Sequence, residues 1–231
     1  MADITIAARD GGSFGAYLAA PASGAGAAVV VIQEIFGVNR VMRDLCDGFA
    51  AQGYFALCPD MFWRLEPGVQ LTDKTQEEWD QAFMLMQKFD HRTGVEDLAA
   101  SIAHARGLDG CTGKVGAVGY CLGGAMAFAV ACLTDSDASV GYYPVQVDEQ
   151  MPLAEKITTP VMLHIAEDDA FCLADAQAKI KLALGDNEHA TVHSYPGVDH
   201  AFARAGGLNF DPAATELADR RTADFLKTNL A

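Results

Sequence analysis

The segment 115–131 constrains the fold of this chain more than any other. A short apolar run leads into Gly-x-Cys-x-Gly at Gly119, Cys121 and Gly123, and a run of small apolar residues with helical character follows. This pattern is typical of a nucleophile elbow with cysteine in the usual serine position. The sharp strand-to-helix turn requires glycine on both sides because a Cβ would collide there. The elbow would also place Cys121 at a helix N-terminus, where backbone amides favour a thiolate. The alternative is a tight turn in which Cys121 is only a small buried residue.

The rest of the chain alternates short β-branched or aromatic runs with longer segments of helical period. This alternation predicts an α/β fold with a mostly parallel central sheet and helices on both faces. The turn at Asp10-Gly11-Gly12 predicts an antiparallel hairpin for the first two strands. The predicted strands are Ile4–Ala8, Phe14–Ala20, Ala27–Gln33, Phe55–Pro59, Val115–Gly119, Ser139–Tyr143, Val161–Ala166 and Thr191–Tyr195. The predicted helices are Arg40–Gln52, Thr75–Phe89, Val95–Arg106, Leu122–Leu133, Ala174–Leu184 and Pro212–Thr228.

Length and composition predict one globular domain spanning residues 1–231. The 31 acidic against 16 basic side chains give a net charge of −15, which disfavours binding to nucleic acid or to an anionic membrane surface. The apolar runs are too short to span a membrane, and the N-terminus lacks the features of a secretory signal, so we expect a cytoplasmic protein. Six cysteines without a C-x-x-C pair predict neither a disulfide framework nor a metal site.

A thiol nucleophile needs a histidine base and a carboxylate that orients the histidine. In an α/β-hydrolase sheet both residues follow the nucleophile and lie at the carboxyl ends of later strands. The predicted strand Val161–Ala166 is followed by Asp168 and Asp169, and the strand Thr191–Tyr195 leads to His200. The other five histidines fall within predicted helices, helix ends or strands, so His200 is the candidate base. The residues alone leave the choice between Asp168 and Asp169 open.

Glu34 is a charged residue among apolar neighbours, directly after the predicted strand Ala27–Gln33. In this fold, one oxyanion-hole amide comes from the loop after such a strand and the other from the residue after the nucleophile. The candidates are therefore the backbone N–H groups of Ile35 and Leu122. A buried Glu34 would have a raised pKa and could accept or share the thiol proton of Cys121. The alternative is a loop carboxylate that backbone amides satisfy.

Taken together, these motifs resemble the dienelactone hydrolase (carboxymethylenebutenolidase) family over about Val29–Leu226. The matching segments are Gln33–Asn39, Gln52–Tyr54, Cys58–Asp60, Gly119–Gly124, Gly141–Tyr143 and His200–Arg204. The resemblance implies a monomeric, cofactor-free α/β-hydrolase that opens a lactone of the dienelactone type to an oxo-acid such as maleylacetate. It also implies a Cys/Asp/His triad with a nearby glutamate, which falls on Cys121, Asp169, His200 and Glu34. Asp169 is favoured here because it precedes a hydrophobic pair, as the acid of the family does.

The resemblance further implies substrate contacts from Phe36, Trp79, Phe83 and Arg204. Two departures from the family bear on the substrate and leave the reaction class unchanged. Trp79 stands where the family's dienelactone enzymes carry an arginine that helps to bind the substrate carboxylate, and Ala201 stands where serine usually follows the histidine. Arg204 remains as a cation for an anionic substrate, and Arg64 is a second candidate.

The chemistry of a cysteine nucleophile narrows the predicted substrate. A thiolate is a good leaving group, so attack on an ester with a poor alkoxide leaving group tends to reverse, whereas ring opening to an enolate does not. This favours an enol lactone and allows activated aryl esters.

Two hypotheses from other classes stand beside hydrolysis. One is a redox-responsive or ligand-binding protein in which Cys121 is a sensor thiol, although a sensor needs neither His200 nor Asp169. The other is an NAD-binding oxidoreductase, which the glycine spacing disfavours because it does not form G-x-G-x-x-G.

Overall fold

Strands and helices make up most of residues 2–231, the part of the chain that the computed structural model describes. They fall into two units by internal packing, one ending at Ala117 and the other beginning at Val118. The strands are β1 (Ala2–Ala7), β2 (Ser13–Ala19), β3 (Gly26–Ile32), β4 (Phe55–Pro59), β5 (Cys111–Tyr120), β6 (Ala138–Tyr142), β7 (Val161–Ala166) and β8 (Ala190–Tyr195). The α-helices are α1 (Arg40–Ala51), α2 (Gln76–Lys88), α3 (His91–Arg106), α4 (Leu122–Leu133), α5 (Ala174–Leu184) and α6 (Pro212–Asn229), and a 3₁₀ helix spans Val147–Lys156.

The first unit contains the strand order β1-β2-β4-β3-β5. β1 and β2 form the predicted antiparallel hairpin, whose turn is closed by a 2.8 Å hydrogen bond from the Ala8 amide to the Gly12 carbonyl. Gly11 in this turn has a φ of 95°, a conformation that favours glycine. β3 and β4 pair in parallel, with Ala28 opposite Phe55, and β3 is buried over nearly its whole length. Such burial is expected of a parallel strand covered on both faces.

The second unit continues from the end of β5 in the order β5-β6-β7-β8. β6, β7 and β8 pair in parallel, as predicted, with Gly141 opposite Leu163. Helix α4 is buried from Leu122 to Cys132, and its Phe128 belongs to an apolar cluster that includes Leu163. The parallel pairing brings the carboxyl ends of β6, β7 and β8 to one edge of this part of the sheet.

The structure differs from the predicted elements by more than two residues at three places. Strand β5 begins at Cys111 rather than Val115, since its first four residues alternate between exposed and half-buried positions and carry little apolar signal. Helix α3 begins one turn before the predicted Val95, because the Asp90 carboxylate caps it. The 3₁₀ helix Val147–Lys156 is absent from the prediction, and an internal proline hides its helical period. Helices α4 and α5 have the predicted bounds.

Candidate active site

Cys121 occupies the turn between β5 and α4. Its backbone has φ 57° and ψ −116°, a conformation that costs a non-glycine residue on the order of 1–3 kcal/mol. A Cβ added at Gly119 would lie 1.8 Å from the carbonyl oxygen of Gly123, so the glycine spacing in the sequence meets a steric requirement. This is the sharp strand-to-helix turn that the Gly-x-Cys-x-Gly pattern predicts.

The end of β6 supports this turn through backbone contacts. The Cys121 amide donates to the Tyr142 carbonyl at 3.1 Å, and the Val145 amide lies 3.4 Å from the Cys121 carbonyl. A Cβ at Gly124 would meet the Tyr142 carbonyl at 2.6 Å, and one at Gly141 would meet the Gly124 carbonyl at 2.7 Å. Helix α4 therefore packs backbone against backbone on β6, and the Cys121 main chain is held on both sides.

His200 and Asp169 form the second part of the site. The imidazole Nδ1 lies 2.9 Å from the carboxylate Oδ2, and the two residues are only 6 % and 3 % exposed. The other carboxylate oxygen of Asp169 accepts the Phe171 amide at 2.7 Å. Asp168 is exposed, and its amide donates to the Val198 carbonyl. The structure thus brings Asp169, and not Asp168, to the imidazole of His200.

The charges around His200 change its protonation. Burial by itself lowers the pKa of this imidazole, but the charge of a Cys121 thiolate and the hydrogen bonds to Asp169 and Cys121 outweigh burial and raise the pKa to about 10. Cys121 and Asp169 therefore act on the same histidine. The raised pKa favours the imidazolium form of His200 at neutral pH.

Three other cysteines lie in surroundings that oppose ionisation. Burial raises the pKa of Cys132 to about 11 and that of Cys172 to about 12, with the Asp169 charge adding to the effect at Cys172. Burial also raises the pKa of Cys46, next to Cys58. Cys121 differs from these three because a histidine lies within hydrogen-bonding reach of its thiol.

Two aromatic rings that the sequence did not single out border the histidine. Tyr143 and Phe171 stand edge-on to the His200 ring, with centroids 5.1 Å and 4.8 Å away. Tyr143 lies in a segment on which the family resemblance depends, and Phe171 follows the candidate acid by two residues. The sequence therefore marks both positions, but it does not predict that their rings contact His200. Ala201 has a φ of 63°, a left-handed conformation directly after the histidine.

The candidate oxyanion amides lie on two different elements. Leu122 is the first residue of α4 and is buried, and an amide at this position has no acceptor within its own helix. In the first unit, Glu34 and Ile35 are buried in the loop after β3, at 2 % and 3 % exposure. This loop is anchored by a 2.8 Å hydrogen bond from the Leu71 amide to the Phe36 carbonyl. At Gly37, a Cβ would lie 1.9 Å from the Val69 carbonyl.

Three of the predicted substrate contacts form one aromatic cluster in the first unit. The Trp79 ring packs edge-on against Phe36, with centroids 5.0 Å apart, and stacks on Phe83 at 5.5 Å. The indole N–H of Trp79 donates to the Asp73 carbonyl at 3.1 Å. A neutral aromatic surface therefore occupies the position at which the family resemblance predicts an arginine.

The two candidate arginines differ in their surroundings. Arg204 is only 8 % exposed, in the turn after His200. Arg64 binds the Asp97 carboxylate through two nitrogens, at 3.0 Å and 2.8 Å, and contacts Asp10 at 2.5 Å. The interpretation of Arg64 as a second cation for the substrate is therefore wrong, because two carboxylates already compensate its charge.

Neither a metal-binding cluster nor a membrane-spanning helix occurs within residues 2–231. No group of three or more histidine, cysteine, aspartate and glutamate side chains in this range is placed to hold a metal ion. None of the helices in the same range has both the length and the hydropathy needed to cross a bilayer.

Comparison with known proteins identifies the family. The model of the dienelactone hydrolase family matches residues 14–230. A protein of Azospirillum brasilense, provisionally named carboxymethylenebutenolidase, is 53 % identical over the full length of both chains. Carboxymethylenebutenolidase 1 of Cupriavidus pinatubonensis is 40 % identical, with 96 % of this chain and 95 % of the relative covered.

Structural comparison agrees with this result and confirms the predicted fold class. A crystal structure from Klebsiella pneumoniae, provisionally titled dienelactone hydrolase, superposes with a TM-score of 0.87 at 25 % identity and covers 98 % of this chain and 97 % of that one. The eight-stranded, mostly parallel architecture is that of the α/β-hydrolase fold. The chain belongs to the dienelactone hydrolase family and is a hydrolase of lactone or ester bonds.

Proposed function

We propose that this protein opens an enol lactone, or a related activated ester, through a triad of Cys121, His200 and Asp169. The observation that carries the proposal is the environment of His200, which combines a carboxylate at 2.9 Å on Nδ1 with the Cys121 thiol. A thiol is activated by such a base, and the base is oriented by such a carboxylate. The strained elbow at Cys121 adds a second, independent feature of a nucleophile.

The first half of the reaction forms a thioester. The Cys121 thiolate attacks the lactone carbonyl carbon, and the carbonyl electrons move to its oxygen. The amides of Leu122 and Ile35 stabilise this oxyanion by donating hydrogen bonds. When the ring C–O bond breaks, its electrons leave with the enolate oxygen, which takes a proton from the His200 imidazolium.

The second half regenerates the thiolate. Neutral His200 accepts a proton from a water molecule as the hydroxide oxygen attacks the thioester carbonyl. The C–S bond then breaks and leaves the Cys121 thiolate beside the imidazolium. The released enol tautomerises to a ketone, so a dienelactone would give an oxo-acid such as maleylacetate. Asp169 keeps the imidazole oriented throughout and stays ionised.

Glu34 and Arg204 complete the proposed site. Glu34 would accept or share the thiol proton in the resting enzyme, consistent with a carboxylate that is 2 % exposed in an apolar loop. Arg204 would bind the carboxylate of an anionic substrate, since a local cation is needed in a chain of net charge −15. Phe36, Trp79 and Phe83 would contact the apolar part of the substrate. We further propose that residues 1–231 act as one domain, as a monomer in the cytoplasm, without cofactor.

A substrate panel combined with a cysteine variant tests this function. The panel contains a dienelactone, an aryl acetate and a thioester, and the variants are Cys121→Ala and Cys172→Ala. We expect Cys121→Ala to fold and to lose a factor on the order of 10⁴ or more in kcat, because the acyl-enzyme cannot form. Cys172→Ala should keep its activity. Mass spectrometry after rapid mixing with the aryl acetate should detect an acetyl group on the parent enzyme and on Cys172→Ala, and none on Cys121→Ala. Full activity of Cys121→Ala would exclude the triad.

A further inference from the structure

A buried glutamine, Gln177, lies in the first turn of α5, and no step proposed above uses it. It is 5 % exposed and shares the buried face of the helix with Ile180 and Leu184, a pattern in which an apolar residue is expected. Burying a primary amide costs free energy unless its polar atoms are hydrogen-bonded. A glutamine at this position therefore points to a role for the hydrogen bonds that it makes.

The Gln177 side chain joins the two ends of the loop between β7 and α5. Its Nε2 lies 3.2 Å from the carbonyl oxygen of Ala166, 3.1 Å from that of Glu167 and 2.8 Å from that of Cys172. Ala166 is the last residue of β7, and Cys172 precedes α5 by two residues. One buried amide group therefore holds the start and the end of the same short loop.

The candidate acid of the triad lies inside this loop. Asp169 accepts the Phe171 amide through Oδ1 at 2.7 Å, and its backbone carbonyl lies 3.4 Å from the Cys172 amide. Its Oδ2 makes the 2.9 Å contact with His200. The direction of the carboxylate thus depends on the backbone between residues 169 and 172. Gln177 contacts this backbone directly, since the Cys172 carbonyl is the closest of the three acceptors of its amide.

We propose that Gln177 is a positioning residue, which clamps the loop 167–173 by holding both of its ends. The Asp169 carboxylate thereby stays within hydrogen-bonding distance of the His200 imidazole. The inference rests on the proposed triad, because Gln177 acts on the reaction only through Asp169. Gln177 itself touches neither substrate nor the reacting atoms. A displacement of about 1 Å in a catalytic group can cost on the order of 10²-fold in rate, so a clamp at this loop has a measurable effect.

Replacing Gln177 by methionine tests the clamp. Gln177→Met keeps the length and approximate volume of the side chain and removes both N–H donors. With p-nitrophenyl acetate as substrate, we expect kcat to fall about 10- to 100-fold while KM changes by less than about two-fold. The NMR titration of His200 should move to lower pH, because the hydrogen bond that His200 donates to Asp169 is one of the interactions that raise its pKa. Leu184→Met, a buried substitution two turns further along α5, is the matched control and should change neither quantity.

A double-mutant cycle separates positioning from general stability. In an Asp169→Asn background, Gln177→Met should lower kcat by less than about two-fold, because the group through which it acts is already lost. An equal loss in both backgrounds overturns the proposal in favour of a structural role, and so does an unchanged kcat in Gln177→Met alone. In either case Asp169→Asn still loses activity, and the triad stands. If Asp169→Asn is itself fully active, both the triad and the clamp fail.

A second variant covers the case in which Gln177→Met does not fold. Gln177→Leu fills a similar volume, is apolar like its buried neighbours Ile180 and Leu184, and has no group that can donate to the three carbonyl oxygens. The same loss of kcat and the same dependence on Asp169 are expected. A folded Gln177→Leu variant with the activity of the parent enzyme would contradict the clamp.

Discussion

His200 and His164 are both buried in the second unit, but their neighbours shift the pKa values of the two imidazoles in opposite directions. His164 is fully buried, and its two ring nitrogens lie 2.8 Å from the Tyr195 hydroxyl and 3.0 Å from the Thr222 hydroxyl. Burial lowers the pKa of His164 to about 3, whereas the thiolate and carboxylate beside His200 raise its pKa to about 10. Burial alone therefore makes a histidine neutral, and two anionic partners reverse that effect.

The two regions also differ in what their hydrogen bonds connect. Around His164, the hydroxyl of Thr222 on α6 lies 2.7 Å from the Tyr142 hydroxyl, which in turn donates to Asp219 at 2.9 Å. These bonds join α6 to β6 and β7 through neutral or internally satisfied groups. Around His200, the contacts lie on the loops and turns that follow β5, β7 and β8. The comparison indicates that the hydrogen bonds of His164 hold α6 against the sheet, while those of His200 connect the residues of the candidate triad.

The largest expected effect concerns the partner that makes His200 different. Asp169→Asn should lower kcat on the order of 10⁴-fold, because the imidazole loses its orientation and its stabilising charge. The NMR-detected pKa of His200 should fall toward 6.5, while that of His164 stays low. Asp168→Asn is the matched control, and we expect it to remain within about three-fold of the parent in steady-state assays. The opposite result would assign the acid to Asp168.

The second prediction concerns stability against pH. The pKa of His164 in the folded protein is about 3, below its ordinary value of 6.5, so the unfolded chain binds the proton first. Stability should therefore decrease as pH falls from 6.5 toward 3, by an amount on the order of 4 kcal/mol for this one group. For His200 the folded pKa of about 10 is raised, so its contribution is present below pH 6.5 and is lost as pH rises toward 10.

Urea unfolding between pH 4 and pH 9 measures these slopes. His164→Gln should flatten the acid side of the stability curve, whatever its cost in absolute stability. Ser101→Ala, a buried substitution on α3 that removes no ionisable group, should leave the acid slope of the parent unchanged. A parent-like acid slope in His164→Gln would show that other groups cause the loss of stability in acid.

The third prediction extends the comparison to an arginine near the active histidine. Arg204→Met should weaken kcat/KM for a carboxylate-bearing lactone by about 1–3 kcal/mol, because one charge-assisted hydrogen bond to the substrate is lost. A neutral aryl ester should be hydrolysed at nearly the parent rate. Equal losses on both substrates would indicate a structural role for Arg204, and no loss on either would remove it from the site.

The smallest effect is expected at the arginine beside His164. Arg221 donates to the Tyr195 hydroxyl at 3.1 Å and contributes to the lowered pKa of His164. Arg221→Met should therefore raise the pKa of His164 slightly, as followed by NMR titration, and leave ester hydrolysis unchanged. A loss of activity comparable to that of Arg204→Met would contradict the separation of the two regions.

Sequence reasoning succeeded where the local pattern determines the structure. The glycines around Cys121 and the small residues of α4 predicted both the turn and the bounds of the helix, because steric limits act within a few residues. Asp90 was missed as the cap of α3 because the apolar period starts only at Val95. The 3₁₀ helix Val147–Lys156 was missed because its period is short and interrupted.

Contacts between distant residues explain what the sequence could not determine. Arg64 was interpreted as a substrate-binding cation, but its partners Asp10 and Asp97 lie 54 and 33 positions away along the chain. The choice between Asp168 and Asp169 likewise depends on the direction that a loop gives to each side chain. The sequence does not single out Gln177, because a lone glutamine in a helix is usually exposed. Only the structure shows its burial and its three acceptors.

The glycine contacts between α4 and β6 have a consequence for motion. A side chain between a helix and a sheet can change rotamer and absorb small displacements of one against the other. At Gly124 and Gly141 no such layer exists, because the main chains lie so close that a single added carbon would meet a carbonyl oxygen within 2.7 Å. The first turn of α4 must therefore move together with β6, and the main chain of Cys121 moves with them. Fluctuations that admit a substrate or release a product have to come from side chains and loops around the thiol.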